Sequence, residues 1–348
     1  MTPVSSTTAI EYAAYELTDF NLESIRETKR TTQPLGPNDV LIRMKAASLN
    51  YRDLLVASGR YNKGLKLPKI PVSDGAGEVV EIGESVSKFK PGDRVSPNFF
   101  SEWIMGPIAG SFVKSDLGGT VDGVLREFAV FNEKSLVRIP DYLTFEEAAT
   151  LPCAAVTAWN GLIEQGQLKA GESVLVMGTG GVSIFALQFA KMSGAEVIAT
   201  SSSDEKLERL KKLGANHVIN YKKNPDWEKE VVKITCGRGV DHVVEVGGAG
   251  TLDKSTTSVK FGGHISLIGV LANPEAQSSS YTISILMKAI KMQGVFVGSV
   301  EMYERMNAAI SVHKLRPVID QMFQVRDIVE ALKYQQSGSH FGKIVVQI

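Results

Sequence analysis

Along residues 39–47 the run DVLIRMKAA alternates at strand spacing, and residues 75–86 (GAGEVVEIGESV) followed by PGDRV read as strand, turn and strand again. Short strands broken by Gly and Pro continue to Pro140, which predicts a β-rich domain. Residues 99–119 (FFSEWIMGPIAGSFVKSDLGG) follow neither period, and their apolar content predicts a packed excursion in place of a flexible linker. After Pro140 the texture changes. TFEEAA at 144–149 opens a helical stretch through Trp159, and from Glu172 onward strands and helices alternate. ESVLVMG, AEVIATS, HVIN, VDHVVEV, HISLIGV and KMQGVFVGS read as strands; GVSIFALQFAKMSG, DEKLERLKKLG, PDWEKEVVKITCG and TLDKSTTSVK read as helices. Continuous apolar strands between amphipathic helices are the pattern of a parallel sheet covered on both faces. The second half is therefore expected to be α/β, a doubly wound domain of about six strands.

Beyond Ser299 the helical segments EMYERMNAAISVHKL and RDIVEALKYQQSG and the strand FGKIVVQI do not extend that alternation. They predict a return of the chain to its first domain. The expected organisation is a substrate domain from residues 1–150 and 300–348, with a nucleotide-binding domain, 151–299, inserted between them.

A chain of 348 residues is long enough for two such cores. Lys plus Arg equals Asp plus Glu at 38 each, so no net field draws the molecule to nucleic acid or to an anionic membrane. No apolar run approaches the roughly 18 to 20 residues of a membrane span, and the N-terminal MTPVSSTTAIEYAAYEL lacks a basic stretch followed by an apolar one. A cytoplasmic location is expected. Cys153 and Cys236 are the two cysteines, and all five histidines follow residue 216. Neither a disulfide framework nor a metal-binding cysteine cluster is available from them.

The strand SVLVMG runs into Gly178, Thr179, Gly180, Gly181, Val182 and Ser183, and a helix follows directly. Glycines at such a turn let backbone approach a pyrophosphate, and the N–H groups and dipole at the helix start attract the anion. The same turn also has a bland reading as a tight connection, but its place in a long βαβ alternation points to a Rossmann dinucleotide site. Ser183 stands where a third glycine is usual. Its side chain either loosens the helix–strand contact or is small enough to be absorbed.

Sites for NAD(H) usually carry a carboxylate at the end of the second strand. Here that strand ends in Ser201, Ser202 and Ser203, with Lys206 one helical turn on, an arrangement that leaves room and positive charge for a 2′-phosphate. NADP(H) is favoured over NAD(H). In the alternative, Ser202 is an N-cap with Glu205 completing a capping box, and Asp204 reaches the ribose.

The runs AASLNYRDLLVASGRY, PVSDGAGEVVEIGESVSKFKPGDRV, LPCAAVTAWNGL, VLVMGTGG, VDHVVEVGG and FGKIVV resemble, in this order, the medium-chain dehydrogenase/reductase superfamily, in its zinc-lacking quinone-oxidoreductase-like and alcohol-dehydrogenase-like branch. The resemblance implies a GroES-like substrate domain from both chain ends around a Rossmann domain. Zinc-using relatives carry Cys where this chain has Asn50 and His-Glu where it has Ser73-Asp74. Cys153 alone stands at a ligand position, and one thiolate does not hold a catalytic zinc that takes three protein ligands. The structural-zinc cysteine lobe is also missing from residues 99–119. No metal is expected.

Carried over by position, the resemblance implies Ser201, Ser202, Lys206 and Tyr221 around the 2′-phosphate and Thr157 beside the nicotinamide. It further implies Gly247, Gly269 and Val270 along the ribose and nicotinamide, Val297 and Gly298 at the carboxamide, and Lys343 near the pyrophosphate. Bland alternatives are an ordinary aromatic for Tyr221, a solvated strand-end charge for Lys343 and a helix-packing role for Thr157.

Hydride addition to a carbonyl builds negative charge on oxygen, which donors or a Lewis acid must meet. Without zinc, hydrogen-bond donors serve, and an enone or quinone that spreads the charge is an easier substrate than a simple ketone or aldehyde. The resemblance places Asn50, Tyr51 and Arg52 as the candidate catalytic residues: Tyr51 as a donor to the substrate oxygen, and Arg52 as an oxyanion or phosphate contact. Against this, Arg52 and Asp53 form an ion pair that locks the loop. Asp74 is either a cleft acid or a turn-former before Gly75, and Cys153 a buried filler. Trp103, Ile104, Met105 and Phe112 roof an apolar substrate pocket or form an interface or satellite core.

The expected function is NADPH-dependent reduction of an activated C=C or a quinone. Its rivals are a zinc-free NADP-linked alcohol dehydrogenase on a lipophilic alcohol or aldehyde, and a non-catalytic crystallin-like protein. A homodimer paired through GVFVGS is expected.

Overall fold

A computed structural model describes residues 9–62, 64–269 and 280–348. These divide into two compact units, one within Met1–Cys153 and Gly298–Ile348, the other within Ala154–Val297.

The first unit carries β1 (Glu11–Leu17), β2 (Ile25–Thr31), β3 (Asp39–Ser48), β4 (Asp74–Ile82), β5 (Arg94–Pro97), β6 (Phe128–Asn132) and β7 (Leu136–Arg138). The second carries β8 (Ser173–Met177), β9 (Glu196–Ser201), β10 (His217–Asn220), β11 (Val240–Glu245), β12 (Val259–Leu267) and β13 (Lys291–Gly294). The chain then returns to the first unit for β14 (Ile319–Gln324) and β15 (Lys343–Gln347).

Among the described residues of the first unit, a mainly antiparallel sheet runs β14-β15-β3-β4-β5-β7, with β6 on β3 and the hairpin β1-β2 separate. Its core gathers Leu41, Ile42, Met44, Val79, Leu125, Ile344 and Val346, all essentially inaccessible. The strand order makes the two ends of the chain one sheet, because β15 pairs antiparallel with β3, Val346 opposite Ala47.

In the second unit the order β10-β9-β8-β11-β12-β13 is parallel throughout. Every residue of β8 and β11 is buried, as central strands with both faces covered require. The order reverses between β8 and β11, the switch point outside whose carboxyl ends ligands bind in such sheets.

Three elements depart from the sequence reading. β14 was not anticipated: its residues are half-buried or exposed, so it lacks the apolar alternation of an inner strand. The last strand of the second unit stops at Gly294 instead of running to 299, because Val297 adopts φ 55° and breaks extended backbone. The helix expected over 251–260 ends at Ser258, where β12 begins.

Candidate active site

At the turn after β8, Gly178 sits at φ 72°, a left-handed conformation that favours glycine. Gly180 is the N-cap of the helix Gly181–Met192, and no side chain among the described residues caps it, so the first-turn N–H groups of Gly181, Val182 and Ser183 are open to an external acceptor. A Cβ built on Gly178 or Gly180 would meet nothing within 4 Å. The bare backbone thus forms an open cradle at the positive end of a helix, which fits the pyrophosphate of a dinucleotide. Thr179 is buried beside it. Ser183 is absorbed: its buried Oγ donates to Met177 O at 2.6 Å, tying helix to strand in place of a glycine contact.

At the ends of β9 and β10, Asn220 pairs with Ser201, and Tyr221 N donates to Ser201 O at 3.1 Å. This brings Ser201, Ser202 and the half-exposed Tyr221 to one sheet edge. The helix Asp204–Lys212 is capped by Ser203, whose Oγ accepts from Lys206 N at 3.3 Å, so the cap is neither Ser202 nor a box with Glu205. Asp204 is engaged elsewhere. Its carboxylate accepts from Lys223 Nζ at 2.5 Å and Asn220 Nδ2 at 2.6 Å, and these two hold its pKa down.

Past β11 and β12, the fully buried Glu245 organises the next turn. Its Oε1 accepts from Gly247 N at 2.7 Å, Gly248 N at 2.9 Å and Thr251 Oγ1 at 2.7 Å, while Oε2 accepts from Ser255 Oγ. A side chain at Gly247 would overlap Thr251, and one at Gly269 would overlap the backbone of Val246. Both glycines are required by close approach at the switch-point side of the sheet. Val297 C=O accepts from Asn160 Nδ2 at 2.7 Å, and Asn160 Oδ1 is buried without a partner among the described residues. Thr157 is buried. Val270 lies outside the described residues. Sequence reasoning missed Glu245 and Asn160; a carboxylate ending a strand just before Val246-Gly247-Gly248 was the available signal for the first.

In the first unit, Gly298 C=O accepts from Asn98 Nδ2 at 3.2 Å. The helix Tyr51–Ala57 places the other expected residues. Asp53 accepts from Asn50 N at 2.7 Å, and burial pushes its pKa up to about 6. Tyr51 stays half-exposed, on a cavity of about 410 Å³ with Phe20, Leu54, Arg60 and Gln336. Arg52 departs from its expected role. It is buried, with Nη2 2.6 Å from Asp116 Oδ2, Nη1 donating to Leu117 O at 2.8 Å, and its guanidinium over the rings of Tyr61 and Phe99. Asp116 is thus its main partner, ahead of the more distant Asp53 at 3.4 Å.

Asp74 corrects both of its readings. It is fully buried as the first residue of β4, with Oδ1 accepting from Ser73 Oγ at 2.7 Å and Oδ2 from Cys153 N at 3.0 Å, so it neither forms a turn nor offers a free carboxylate. Burial pushes its pKa up. The Cys153 thiol is likewise pushed up by burial and then by Asp74, which keeps it protonated. Lys343 is no solvated strand-end charge. It is buried, and its Nζ donates to Leu49 O and Asn50 Oδ1, both at 2.6 Å.

Within 99–119, Trp103 is buried, stacked on Phe112 at 6.4 Å, with Nε1 donating to Gly106 O at 2.9 Å. Met105, by contrast, is exposed and, with Ile104 and Val300, lines a shallow cavity of about 250 Å³. Among the described residues no group of three or more His, Cys, Asp or Glu is placed to hold a metal ion.

The family description "Alcohol dehydrogenase GroES-like domain" matches residues 36–141, and "Zinc-binding dehydrogenase" matches residues 181–312. A zinc-type alcohol dehydrogenase-like protein of Schizosaccharomyces pombe is 48% identical over 326 residues, covering 92% of this chain and 94% of that protein. The 2-methylene-furan-3-one reductase of Solanum lycopersicum is 30% identical over 348 residues, covering 97% and 79%. A solved structure from Sinorhizobium meliloti 1021, assigned as an alcohol dehydrogenase, superposes with a TM-score of 0.90 at 40% identity, covering 98% of this chain and all of that one. With a GroES-like domain, a parallel Rossmann-like sheet and relatives over nearly its whole length, the chain belongs to the medium-chain dehydrogenase/reductase superfamily of nicotinamide-dependent oxidoreductases.

Proposed function

We propose that the chain is a zinc-independent NADP(H)-dependent reductase of activated C=C bonds or quinones. The observation that carries the cofactor assignment is the end of β9: Asp204 is held by Asn220 and Lys223, so the groups that border the 2′ position there are the hydroxyls of Ser201 and Ser202, with Lys206 and Tyr221 as the further candidates, and not a carboxylate. An exposed carboxylate committed to a lysine is a poor ribose ligand for NAD(H), and a phosphate beside hydroxyls and an amine gains charge-assisted hydrogen bonds.

In this reading Gly178 to Val182 cradle the pyrophosphate, and Thr157, Gly247, Gly269, Val297 and Gly298 border the nicotinamide half. When bound, the cofactor supplies or accepts a hydride. The protein's part is to hold the substrate oxygen with donors, since Asn50, Ser73 and Asp74 are tied to Lys343, to one another and to Cys153 N in place of a metal-ligand set. The tomato relative's name, a furanone reductase, supports reduction of a conjugated carbonyl. The yeast and bacterial relatives' names favour a second reading, oxidation or reduction at an alcohol or aldehyde carbon.

Initial rates with NADPH and with NADH on an enone, a quinone and an aldehyde, alongside metal analysis, test both. Preference for NADH, or stoichiometric zinc in active protein, sinks the first. A homodimer in the cytoplasm completes the proposal. The edge strand β13 is flanked by the exposed apolar side chains of Phe261, Ile283, Leu286 and Met287, the kind of patch that marks an interaction surface. Light scattering that finds only monomer rejects it.

A further inference from the structure

Asn160 and Val297 meet inside the second unit, and the contact breaks two local rules at once. Val297 is 5% exposed and sits at φ 55°, a left-handed backbone that a β-branched residue rarely adopts because its Cβ crowds the following carbonyl. Asn160 is 3% exposed: its Nδ2 donates to Val297 O at 2.7 Å, while its Oδ1 is buried with no partner among the described residues. A buried carbonyl left unpaired is destabilising, so packing alone favours an apolar residue at position 160. What the amide provides is its hold on Val297. Strained backbone persists only where its surroundings over-determine it, and such places cluster at functional sites.

The surroundings of this contact are tightly built. Asn160 opens the π-helical segment Asn160–Gln165, a geometry that recurs at functional sites. The next residue, Gly161, lies so close to the end of β12 that an added Cβ would stand 3.1 Å from Ser266 and 3.7 Å from Val295. Ser266 Oγ donates to Gly161 O at 2.9 Å, and Val295 N donates to Leu267 O at 2.9 Å. Residues 295–297 are thereby bound to β12 at one end and to the Asn160 amide at the other.

Strand order decides which half of a dinucleotide meets this segment. Gly178 follows β8, Gly247 follows β11, Gly269 follows β12 and Val297 follows β13, so all four stand at the carboxyl edge of one parallel sheet ordered β10-β9-β8-β11-β12-β13. With the pyrophosphate at the turn after β8 and the adenosine end over β9 and β10, the nicotinamide nucleotide extends over β11 to β13.

We propose that Asn160 is a positioning residue for the nicotinamide half of the cofactor. By holding Val297 O, it keeps residues 295–297 in their strained course before any ligand arrives, and the nicotinamide end rests against that fixed backbone. Asn160 acts through Val297 and not on the ligand, and its contribution is preorganisation. The inference rests on the cofactor reading given above.

The test uses the full chain with Asn160→Leu, which keeps the volume and drops the orphaned oxygen, and Asn160→Asp, which keeps the shape and drops the donor. Calorimetric titration gives Kd for NADPH, for NADH and for the adenosine fragments 2′,5′-ADP and ADP, with thermal melting read alongside. Kd for the dinucleotide that wild type prefers should rise about tenfold or more, as loss of one net hydrogen bond implies. Its adenosine fragment should stay within about twofold, and Asn160→Leu should melt within about 5 °C of wild type. A merely structural role moves dinucleotide and fragment together, so equal losses overturn the inference, as does unchanged dinucleotide affinity. Hydrogen exchange of wild type requires no variant to fold: the peptide covering 295–297 should be protected before NADPH is added, and fast exchange that slows only with NADPH also overturns it. Wild type that binds neither dinucleotide overturns the cofactor reading and this role with it, whereas dinucleotide binding indifferent to Asn160 overturns the role alone.

Discussion

Arg52 Nη2 stands 2.6 Å from Asp116 Oδ2 with both side chains buried, which ties the helix Tyr51–Ala57 to residues 64 positions further along the chain. Removing one partner of such a pair leaves the other charge uncompensated, at a cost of about 3–5 kcal/mol. Arg52→Met should therefore lower the unfolding free energy by about that amount while the folded fraction keeps its specific activity. Gly119→Ala should act similarly, since a methyl there overlaps both Asp116 Oδ2 and Arg52 Nη2. Urea titration read beside activity decides: activity lost faster than folded protein would return Arg52 to the chemistry.

Gly180 offers a cleaner separation of binding from folding. Its φ of −74° suits any residue, and its Cβ position is empty, so Gly180→Ala should leave the melting temperature nearly unchanged. If a pyrophosphate lies against that backbone, the methyl collides with it, and dinucleotide affinity should fall about tenfold or more. Gly269→Ala serves as the contrast, because its Cβ overlaps Val246 and should destabilise the protein with or without cofactor. Unchanged affinity in Gly180→Ala would move the cofactor away from this turn.

How far the sequence could be read follows burial. β8 and β11 were legible because both faces are covered and their residues are nearly all apolar, whereas β14, an edge strand with its side chains half in water, carries no period to detect. The Gly178–Gly180 turn was legible because local spacing alone defines it. The partners of Arg52 and Lys343 were not: Asp116 and Asn50 meet them only through the folding of distant segments, and nothing near Lys343 in sequence signals a buried ammonium. Ser203 displaced Ser202 as the helix cap by a single position, the kind of boundary that composition does not resolve.

In the NADP(H) reading the cofactor's 2′-phosphate meets Lys206, four residues after Ser202 in the sequence. Replacing it with alanine removes a charge-assisted contact worth about 1.5–3 kcal/mol, so NADPH affinity should weaken about tenfold to a hundredfold while NADH affinity changes little. Parallel fluorescence titrations with both nucleotides measure this. Equal losses for the two would dissociate Lys206 from the 2′-phosphate and reopen the NAD(H) reading.

His264 gives the second unit a definite acid response. Its ring lies 5.9 Å from that of His242, Nε2 has no partner among the described residues, and Lys291 faces it in register from β13. Burial, then repulsion from His242 and Lys291, pushes its pKa down to about 4. The unfolded chain binds that proton near 6.5, so between the two values it holds more protons than the folded one. The contribution of neutral His264 is thus fully present above about pH 6.5, declines as pH falls, and is gone below about 4. Asp53, raised to about 6, acts in the opposite sense, so the difference between wild type and a variant is the informative quantity. Allowing for solvent screening, His264→Gln should gain about 1–2 kcal/mol relative to wild type on going from about pH 7 to about pH 4.5. Urea midpoints at the two pH values measure it, and parallel pH dependence in the two proteins would show that this imidazole titrates alike in the folded and unfolded chains.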